Sequence, residues 1–323
     1  MRNYIRICGL LLGLLLCATA LFVGAEEPTE AEPTGIFQKE RVTRILLLGC
    51  DRASGLADSI LVVSINEEDK SASILQIPRD TYAEYTQRDY KKINGILSVL
   101  GADGAKDFFS SALGLPIQHF AVINLDLLCK TVDAIGGIDV EVPQAMEYHD
   151  PAQDLHISLG KGVQHLNGKA AEQFVRYRSG YANADLGRLD AQKLFLRAFA
   201  KKCQNLSAQD YFRLIGASLT GVQTDLGIAE AIRLCGILRE CDPEAVPMQT
   251  LAGQAVKGQS GAWYYVLNRE GACRQIGELT YPDHTFTPTE FDTSGIFDRI
   301  QNPQFHNVYT AAEGALPLVF NPD

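Results

Sequence analysis

The chain has 323 residues, a formal net charge of −10, and apolar and charged fractions of 46% and 21%, which are typical of a globular protein. Its length is enough for one large domain, or for one domain with a small appendage. The negative balance excludes a general nucleic-acid binder, because phosphate neutralisation needs a basic face. Any site for a polyanion must therefore be a local cluster of basic residues.

The N-terminal segment 1–25 is predicted to carry the chain into or across a membrane. Arg2 and Arg6 precede an uncharged run from Ile7 to Ala25, and acidic residues follow it. At helical rise this run covers about 28 Å, close to the hydrocarbon thickness of a bilayer, and the arginines place its start in the cytoplasm. The run is either an uncleaved anchor, giving a single-pass protein of the cell membrane, or a secretory signal removed after Ala25. Both alternatives export residues 26–323.

Three further segments follow this run. Residues 26–41 are rich in Pro and Glu and are predicted to be a linker. Residues 42–280 are predicted to form one folded domain, and residues 281–323 a loosely packed or disordered tail, because their Pro, Asn, Thr and Asp content rises.

Strands and helices alternate along the predicted domain. Short runs rich in Ile, Val and Leu predict strands at 44–50, 59–65, 71–78, 117–125, 138–142, 246–253 and 261–268, with a further short strand in the segment that starts at Leu155. Longer periodic segments predict helices at 91–114 with a break near Gly101, at 126–137, from a cap at Asn167, at 186–204, within 208–241 and at 268–279. The alternation predicts an α/β fold with a mixed central β-sheet flanked by helices on both faces.

Six cysteines follow the N-terminal run and lack the C-x-x-C spacing of a metal site: Cys50, Cys129, Cys203, Cys235, Cys241 and Cys273. In an exported chain Cys241 could pair with Cys235 or with Cys273. The alternative is that all of them remain thiols and are buried as small apolar residues.

Polar side chains follow the first three predicted strands. In "GCDRASGLADSI", Asp51 comes directly after one strand and Asp58 directly before the next, so neighbouring strands would bring both carboxylates to one edge of the sheet. Two such carboxylates suit Mg²⁺ (or Mn²⁺) shared with phosphate oxygens, although Asp at strand ends is also common turn chemistry. Arg79 and Asp80 follow the third strand in "IPRDTY".

Basic residues also occur at two predicted helix starts. In "KKINGIL", Lys91 and Lys92 precede a helix whose first amides favour an anion; the alternative is a solvated helix start. The stretch "FVRYRSGYANADLGRLDAQ" holds the densest cluster, which comprises Arg176, Arg178, Asp185, Arg188 and Gln192. Guanidinium groups match phosphate oxygens with two parallel hydrogen bonds, so this stretch is predicted either to bind an anion or to form surface ion pairs.

Taken in order, these motifs resemble the LytR–CpsA–Psr family of exported, membrane-anchored bacterial proteins. The motifs are G-C-D, A-D-S-I, I-P-R-D, K-I-N, "VDAIGGIDVEV", "GVQHLNGKAAEQFVRYR" and D-L-G-R-x-x-x-Q. The resemblance covers roughly residues 42–205 and continues more weakly to about residue 280. It implies a Mg²⁺-dependent phosphotransferase that moves a glycopolymer, such as a teichoic acid or a capsule polymer, from a polyprenyl-pyrophosphate carrier to peptidoglycan on the outer face of the membrane.

The resemblance also implies roles for individual residues. The metal would be held by Asp51 and Asp58. The pyrophosphate would be bound by Arg79, Arg176, Arg178 and Arg188, with Asp185 and Gln192 beside the last of these. Arg79 would also act in catalysis, and either Asp58 or Asp185 would be the general base. All of these residues are expected to converge on one pocket.

The sequence departs from the family pattern at two positions. Ala57 and Ala191 stand where related sequences often carry a basic residue, and Arg52 would substitute for the first of these. Two alternative functions use the same residues: hydrolysis of polyprenyl pyrophosphates, or lipid-pyrophosphate binding without catalysis in a regulatory protein. Direct binding of nucleic acid is not expected, because no DNA-reading motif occurs and the domain is exported.

Overall fold

The computed structural model describes residues 41–51, 55–83, 91–151, 155–183, 185–218, 221–257 and 262–280. The predicted membrane segment 1–25, nearly all of the linker, Arg52 and the tail 281–323 lie outside these ranges. Within the ranges, the longest apolar helix falls short of what a membrane crossing needs.

Most predicted elements occur within a few residues of their expected bounds. Numbered in chain order, the strands are β1 (Val42–Cys50), β2 (Ala57–Asn66), β3 (Ser71–Ile77), β4 (His119–Asn124), β5 (Ile138–Val142), β6 (Met146–Asp150), β7 (Leu155–Leu159), β8 (Gly162–Leu166), β9 (Gln223–Thr224), β10 (Met248–Thr250), β11 (Gly253–Lys257) and β12 (Trp263–Leu267). The helices are α1 (Ile96–Leu113), α2 (Leu125–Ala134), α3 (Gly168–Arg176), α4 (Asp185–Gln204), α5 (Ala208–Ser218), α6 (Ile228–Leu238) and α7 (Arg269–Thr280).

The largest sheet has six strands in the order β10-β3-β2-β1-β4-β9. β10 runs parallel to β3, with Met248 opposite Ile74, whereas β9 runs antiparallel to β4, with Ala121 opposite Thr224. The sheet is therefore mixed, and the predicted α/β class is confirmed. Its central strands are buried along almost their whole length, as expected of continuous apolar runs. The presence of helices on both faces stays a prediction.

The described residues divide into two compact units. The Asp58 unit comprises described residues within 43–64, 73–120 and 247–280, and the Arg188 unit those within 41–42, 65–72 and 121–246. The Asp58 unit contains α1, in which Gly101 has a φ of +70°; this is the predicted break. The Arg188 unit has its own apolar core, which includes Val140, Phe174 and Phe195.

Two predictions in the Arg188 unit need correction. The segment expected to hold one short strand, a turn and a helix holds two strands: β7 pairs with β6, and β8 pairs with β5. β8 was missed because its half-buried alternation is short and its partner lies more than twenty residues earlier. The helical segment 208–241 is interrupted between α5 and α6, where Gly221 and Gly227 lie and β9 joins the sheet.

The cysteines of the Arg188 unit are thiols. Cys235 and Cys241 are both buried thiols, so the disulfide between these two does not form. The Cys241 thiol donates instead to the carbonyl oxygen of Lys70 at 3.0 Å. The buried-thiol alternative describes both residues.

Arg197 of α4 binds a loop of the same unit through hydrogen bonds to backbone carbonyl oxygens. Its Nη1 donates to the carbonyl oxygens of Pro243 and Glu244 at 2.7 and 2.8 Å, and its Nη2 donates to that of Val246 at 3.0 Å. Arg197→Ala is therefore expected to lower the free energy of unfolding by about 2 kcal/mol, which corresponds to a melting temperature about 4–8 °C lower. Calorimetry checks this.

Arg213→Ala is the matched control. Arg213 is exposed, and its ion-pair partner Asp210 lies one turn earlier on the same helix, α5. Its loss should cost about 0.5 kcal/mol or less. Arg197→Lys should recover little of the stability, since an ammonium group cannot reproduce the planar fork. Equal melting temperatures for the Arg197→Ala and Arg213→Ala variants would contradict this account.

Candidate active site

The first cluster of predicted site residues lies at one edge of β1, β2 and β3 in the Asp58 unit. Asp51 directly follows β1, and its Oδ1 accepts a hydrogen bond from the Gly55 amide at 3.1 Å. Asp58 is the second residue of β2, and its Oδ1 lies 2.5 Å from Nη1 of Arg79, which follows β3. The structure therefore pairs Asp58 with Arg79 and places Asp51 at the end of β1; a single site that joins all three residues stays a prediction.

The Cys50 thiol lies beside both carboxylates. Burial, followed by the negative charges of Asp51 and Asp58, raises the pKa of Cys50 to about 12 from an ordinary value of 9.0. The fold thus favours the neutral thiol over the thiolate, and only the thiolate is a strong nucleophile. Cys50 is a reporter of the two carboxylates rather than a reacting group.

The raised pKa of Cys50 predicts how its contribution to stability depends on pH. Because its pKa is higher in the folded state than in the unfolded state, its contribution to stability is complete below about pH 9 and is lost as the pH rises towards 12. We expect Cys50 to resist alkylation by iodoacetamide at pH 8.5 in the native protein and to react once urea unfolds the chain. Mass spectrometry of the Cys50 peptide measures this, and equal labelling in both states would contradict it.

The "IPRD" and "KIN" motifs lie side by side. The Asn94 amide donates to the carbonyl oxygen of Arg79 at 3.1 Å, and the Lys92 Nζ donates to Asp80 Oδ1 at 2.7 Å. Asn94 is buried and the Lys92 side chain is largely buried, so this part of the predicted helix start is not simply solvated. Asp80 fixes Lys92 next to the segment that carries Arg79.

The second cluster lies where α3 ends and α4 begins, in the Arg188 unit. Arg188 donates from Nε to Asp185 Oδ1 at 3.0 Å and from Nη2 to Oδ2 at 3.1 Å, which is a two-pronged ion pair. Nε of Arg178 lies 3.6 Å from the same Oδ1. Asp185, the first residue of α4, thus gathers two guanidinium groups.

α3 contributes the third arginine. Arg176 is its last residue, and Nη1 of Arg176 donates to Glu172 Oε1 at 3.0 Å. Gln192 donates from Nε2 to the carbonyl oxygen of Val175 at 3.4 Å and so links α4 to the end of α3. The chain becomes extended at Tyr177, as required if the side chains of Arg176 and Arg178 are to lie in one region.

The loop between α3 and α4 depends on an aromatic contact that the sequence did not reveal. A Cβ atom at Gly187 would lie 2.4 Å from the Cβ of Tyr181, so only glycine fits next to Arg188. Tyr181 also packs edge-on against Tyr177 with ring centroids 5.4 Å apart. Burial, with smaller effects of Tyr177 and Asp190, raises the pKa of the Tyr181 phenol to about 12. The tyrosines therefore set the path of the loop between the arginines.

Four details of these clusters were not predicted from the sequence. The four-residue spacing of Arg188 and Gln192 predicts one polar face of α4 away from its apolar residues, but both side chains are buried, with Arg188 only 4% exposed. Ala57 and Ala191 are also buried, at 0% and 1% exposure, so their methyl groups pack inside the protein. Both carboxylate oxygens of Asp185 accept from Arg188, which weakens the case for Asp185 as a general base. Glu172 was not predicted, although its position four residues before Arg176 on one helix is a recognisable signal.

The carboxylate pair at β1 and β2 has ligand chemistry suited to a divalent metal ion. Within the described ranges, groups of three or more His, Cys, Asp or Glu side chains that could enclose a metal ion were not found. Asp51 and Asp58 supply oxygen ligands, which Mg²⁺ prefers, and Mg²⁺ commonly takes only one or two carboxylates from the protein and the rest from water and phosphate. Both side chains thus have the chemistry of Mg²⁺ ligands, and a shared metal ion at Asp51 and Asp58 stays a prediction.

The chain is similar in sequence and in structure to proteins of one family. The sequence model of the LytR_cpsA_psr family matches residues 23–279. The chain is 30% identical over 232 residues to the polyisoprenyl-teichoic acid–peptidoglycan teichoic acid transferase TagU of Bacillus anthracis, covering 70% of this chain and 74% of that protein. The crystal structure of TagV from B. subtilis superposes with a TM-score of 0.63 at 25% identity, covering 75% of this chain and 99% of TagV. The structure of TagT bound to LIIa-WTA superposes with a TM-score of 0.60 at 25% identity, covering 75% of this chain and 90% of TagT.

Proposed function

Because the chain belongs to the LytR_cpsA_psr family, we propose that it is an enzyme that transfers a glycopolymer from a polyprenyl-pyrophosphate carrier to peptidoglycan. The observation that supports this most directly is the gathering of Arg176, Arg178 and Arg188 at the α3–α4 junction of a chain with a net charge of −10. The similar proteins TagU and TagV are named teichoic acid transferases. A teichoic acid or a capsular polymer would be the donated glycan.

The reaction replaces one phosphorus–oxygen bond by another. A sugar hydroxyl of peptidoglycan attacks the phosphorus that carries the glycan, the bond from that phosphorus to the bridging oxygen breaks, and polyprenyl phosphate leaves with that oxygen. Arginine side chains lower the barrier by neutralising the charge that develops on the phosphate oxygens. We propose that Arg176, Arg178 and Arg188 of the Arg188 unit bind the oxygens of the diphosphate.

The attacking hydroxyl also loses a proton. Asp58 and Asp185 were both candidates for the base, and Asp58 is the better choice because its side chain is 36% exposed against 17% for Asp185. Asp185 would instead hold Arg178 and Arg188 in place through its two oxygens. Mg²⁺ (or Mn²⁺), when bound by Asp51 and Asp58, would supply positive charge next to the diphosphate oxygens.

The proposed location follows from the N-terminal sequence. An uncleaved helix over residues 1–25 would hold the domain on the outer face of the membrane, where both the lipid carrier and peptidoglycan are accessible; a cleaved signal would release it there. Mass spectrometry of the membrane-associated protein decides between these, because the cleaved form begins at Glu26.

The full-length protein in detergent, supplied with Mg²⁺, a lipid-linked teichoic acid precursor and a peptidoglycan oligomer, tests the activity. We expect glycan phosphate on the oligomer together with free polyprenyl phosphate, both detected by mass spectrometry. Release of polyprenyl phosphate at the same rate with and without the oligomer, and without any transfer, would indicate a hydrolase. Binding of the precursor without turnover would indicate a non-catalytic lipid-binding protein.

A further inference from the structure

A buried carboxylate lies directly beside the arginine cluster of the Arg188 unit. Glu172 on α3 is 8% exposed. Its Oε1 accepts from Nη1 of Arg176 at 3.0 Å, and its Oε2 accepts from the Cys129 thiol of α2 at 3.5 Å. Burying a charged group is unfavourable unless that group is paired and hydrogen-bonded, and both carboxylate oxygens meet this condition.

The helices α2 and α3 are closely packed around Glu172. A Cβ atom at Gly168 would lie 2.3 Å from the carbonyl oxygen of Cys129, and the Gly168 amide donates to Asp133 Oδ1 at 2.7 Å. α3 is therefore held against α2 at its first turn by backbone approach and again one turn later by the contact between Cys129 and Glu172. The Glu172 side chain, which extends from α3 where it packs on α2, therefore has little freedom to move.

We propose that Glu172 is a positioning residue for Arg176: it orients the guanidinium for the diphosphate, and the Cys129 thiol of α2 orients Glu172 in turn. An arginine side chain loses rotamer freedom when it binds an anion, and a side chain already ordered in the free protein loses less of it. The pair uses Nη1 of a guanidinium that has five N–H donors. The proposal rests on the proposed function, because it assumes that Arg176 contacts the diphosphate.

A competing effect has the opposite sign. Glu172 is negative and lies near a site for an anion, so its removal would strengthen anion binding if its charge mattered more than its positioning of Arg176. The two effects can be separated experimentally, because glutamine keeps an acceptor oxygen for Arg176 and removes the charge, whereas alanine removes both.

Calorimetric titration of the full-length protein with farnesyl pyrophosphate in Mg²⁺ tests the proposal. We expect Glu172→Ala to weaken binding about fivefold and Glu172→Gln to stay within about twofold of the parent protein. Arg176→Ala should weaken binding about tenfold or more. In the Arg176→Ala background, the further change Glu172→Ala should have no effect, because a positioning residue acts only through the group that it positions. Asp210→Ala, which breaks an exposed pair with Arg213 in the same unit, is the matched control and should bind normally.

Other results have distinct meanings. Tighter binding by Glu172→Ala, or an equal loss in the Arg176→Ala background, would overturn the positioning role and leave the proposed function intact. Unchanged binding by Arg176→Ala would instead count against the proposed diphosphate site. If Glu172→Ala does not fold, Cys129→Ala and Cys129→Ser provide the test: the alanine variant should bind about twofold more weakly, and serine, which restores a donor, should recover the affinity. No difference between these two variants would contradict the proposal.

Discussion

Replacing Arg188 with alanine is expected to lower the rate of glycan transfer by roughly two to three orders of magnitude and the free energy of unfolding by about 3 kcal/mol. Both effects arise because Arg188 is buried and forms a two-pronged ion pair with Asp185. Its removal leaves a largely buried carboxylate with one guanidinium fewer and would also deprive the proposed diphosphate ligand of a donor. Urea unfolding gives the change in the free energy of unfolding, and transfer kinetics well below the melting temperature give the change in rate.

Two variants separate the charge of Arg188 from its shape. Arg188→Lys keeps the positive charge but cannot donate from two parallel nitrogens, so it should recover most of the stability and stay at least about tenfold slow. Asp185→Asn should slow transfer while Arg188 is still present, because neither Arg188 nor Arg178 is then held by a carboxylate. An Arg188→Ala protein that transfers glycan at the parent rate would show that this cluster is structural only.

Local signals in the sequence predicted the scaffold of this cluster well. Asn167 was expected to cap a helix, and its side chain accepts from the Ala170 amide at the start of α3. The two glycines after α2, Gly136 and Gly137, both have positive φ values where that helix was expected to end. Each of these features depends on residues three or four positions apart, so sequence alone is sufficient to find it.

Features that depend on distant partners were not predictable in the same way. Arg188 and Gln192 share one helical face, but only the packing of α4 shows that this face is buried. The requirement for glycine at Gly187 comes from the Tyr181 ring, and no local pattern indicates where that ring lies. The motif order predicted the arginines and aspartates as a set, and that grouping stays a prediction, while burial, pairing and the contact of Glu172 with Arg176 required coordinates.

The second large effect is predicted for the carboxylate pair of Asp51 and Asp58. Asp58→Asn is expected to lower transfer by roughly two to three orders of magnitude, because it removes both a candidate base and half of the carboxylate set that suits Mg²⁺. Titration with Mn²⁺, followed by electron paramagnetic resonance, should show correspondingly weaker metal binding in the variant. Asp103→Asn is the matched control in the same unit. Asp103 is exposed, and its Oδ1 lies 3.7 Å from Nζ of Lys106, so the change also removes one carboxylate from an ion pair.

The Cys50 thiol provides a third measurement that needs neither substrate nor metal. Asp58 is one of the two charges that raise the pKa of Cys50, although burial contributes more. Asp58→Asn should therefore lower that pKa and increase the rate of alkylation of Cys50 at high pH, with the fold intact. If the thiol responds in this way while transfer and Mn²⁺ binding are unchanged, Asp58 lies where the structure places it but has no part in the reaction. If all three change together, the position of Asp58 between β1 and β3 is what gives it its chemical role.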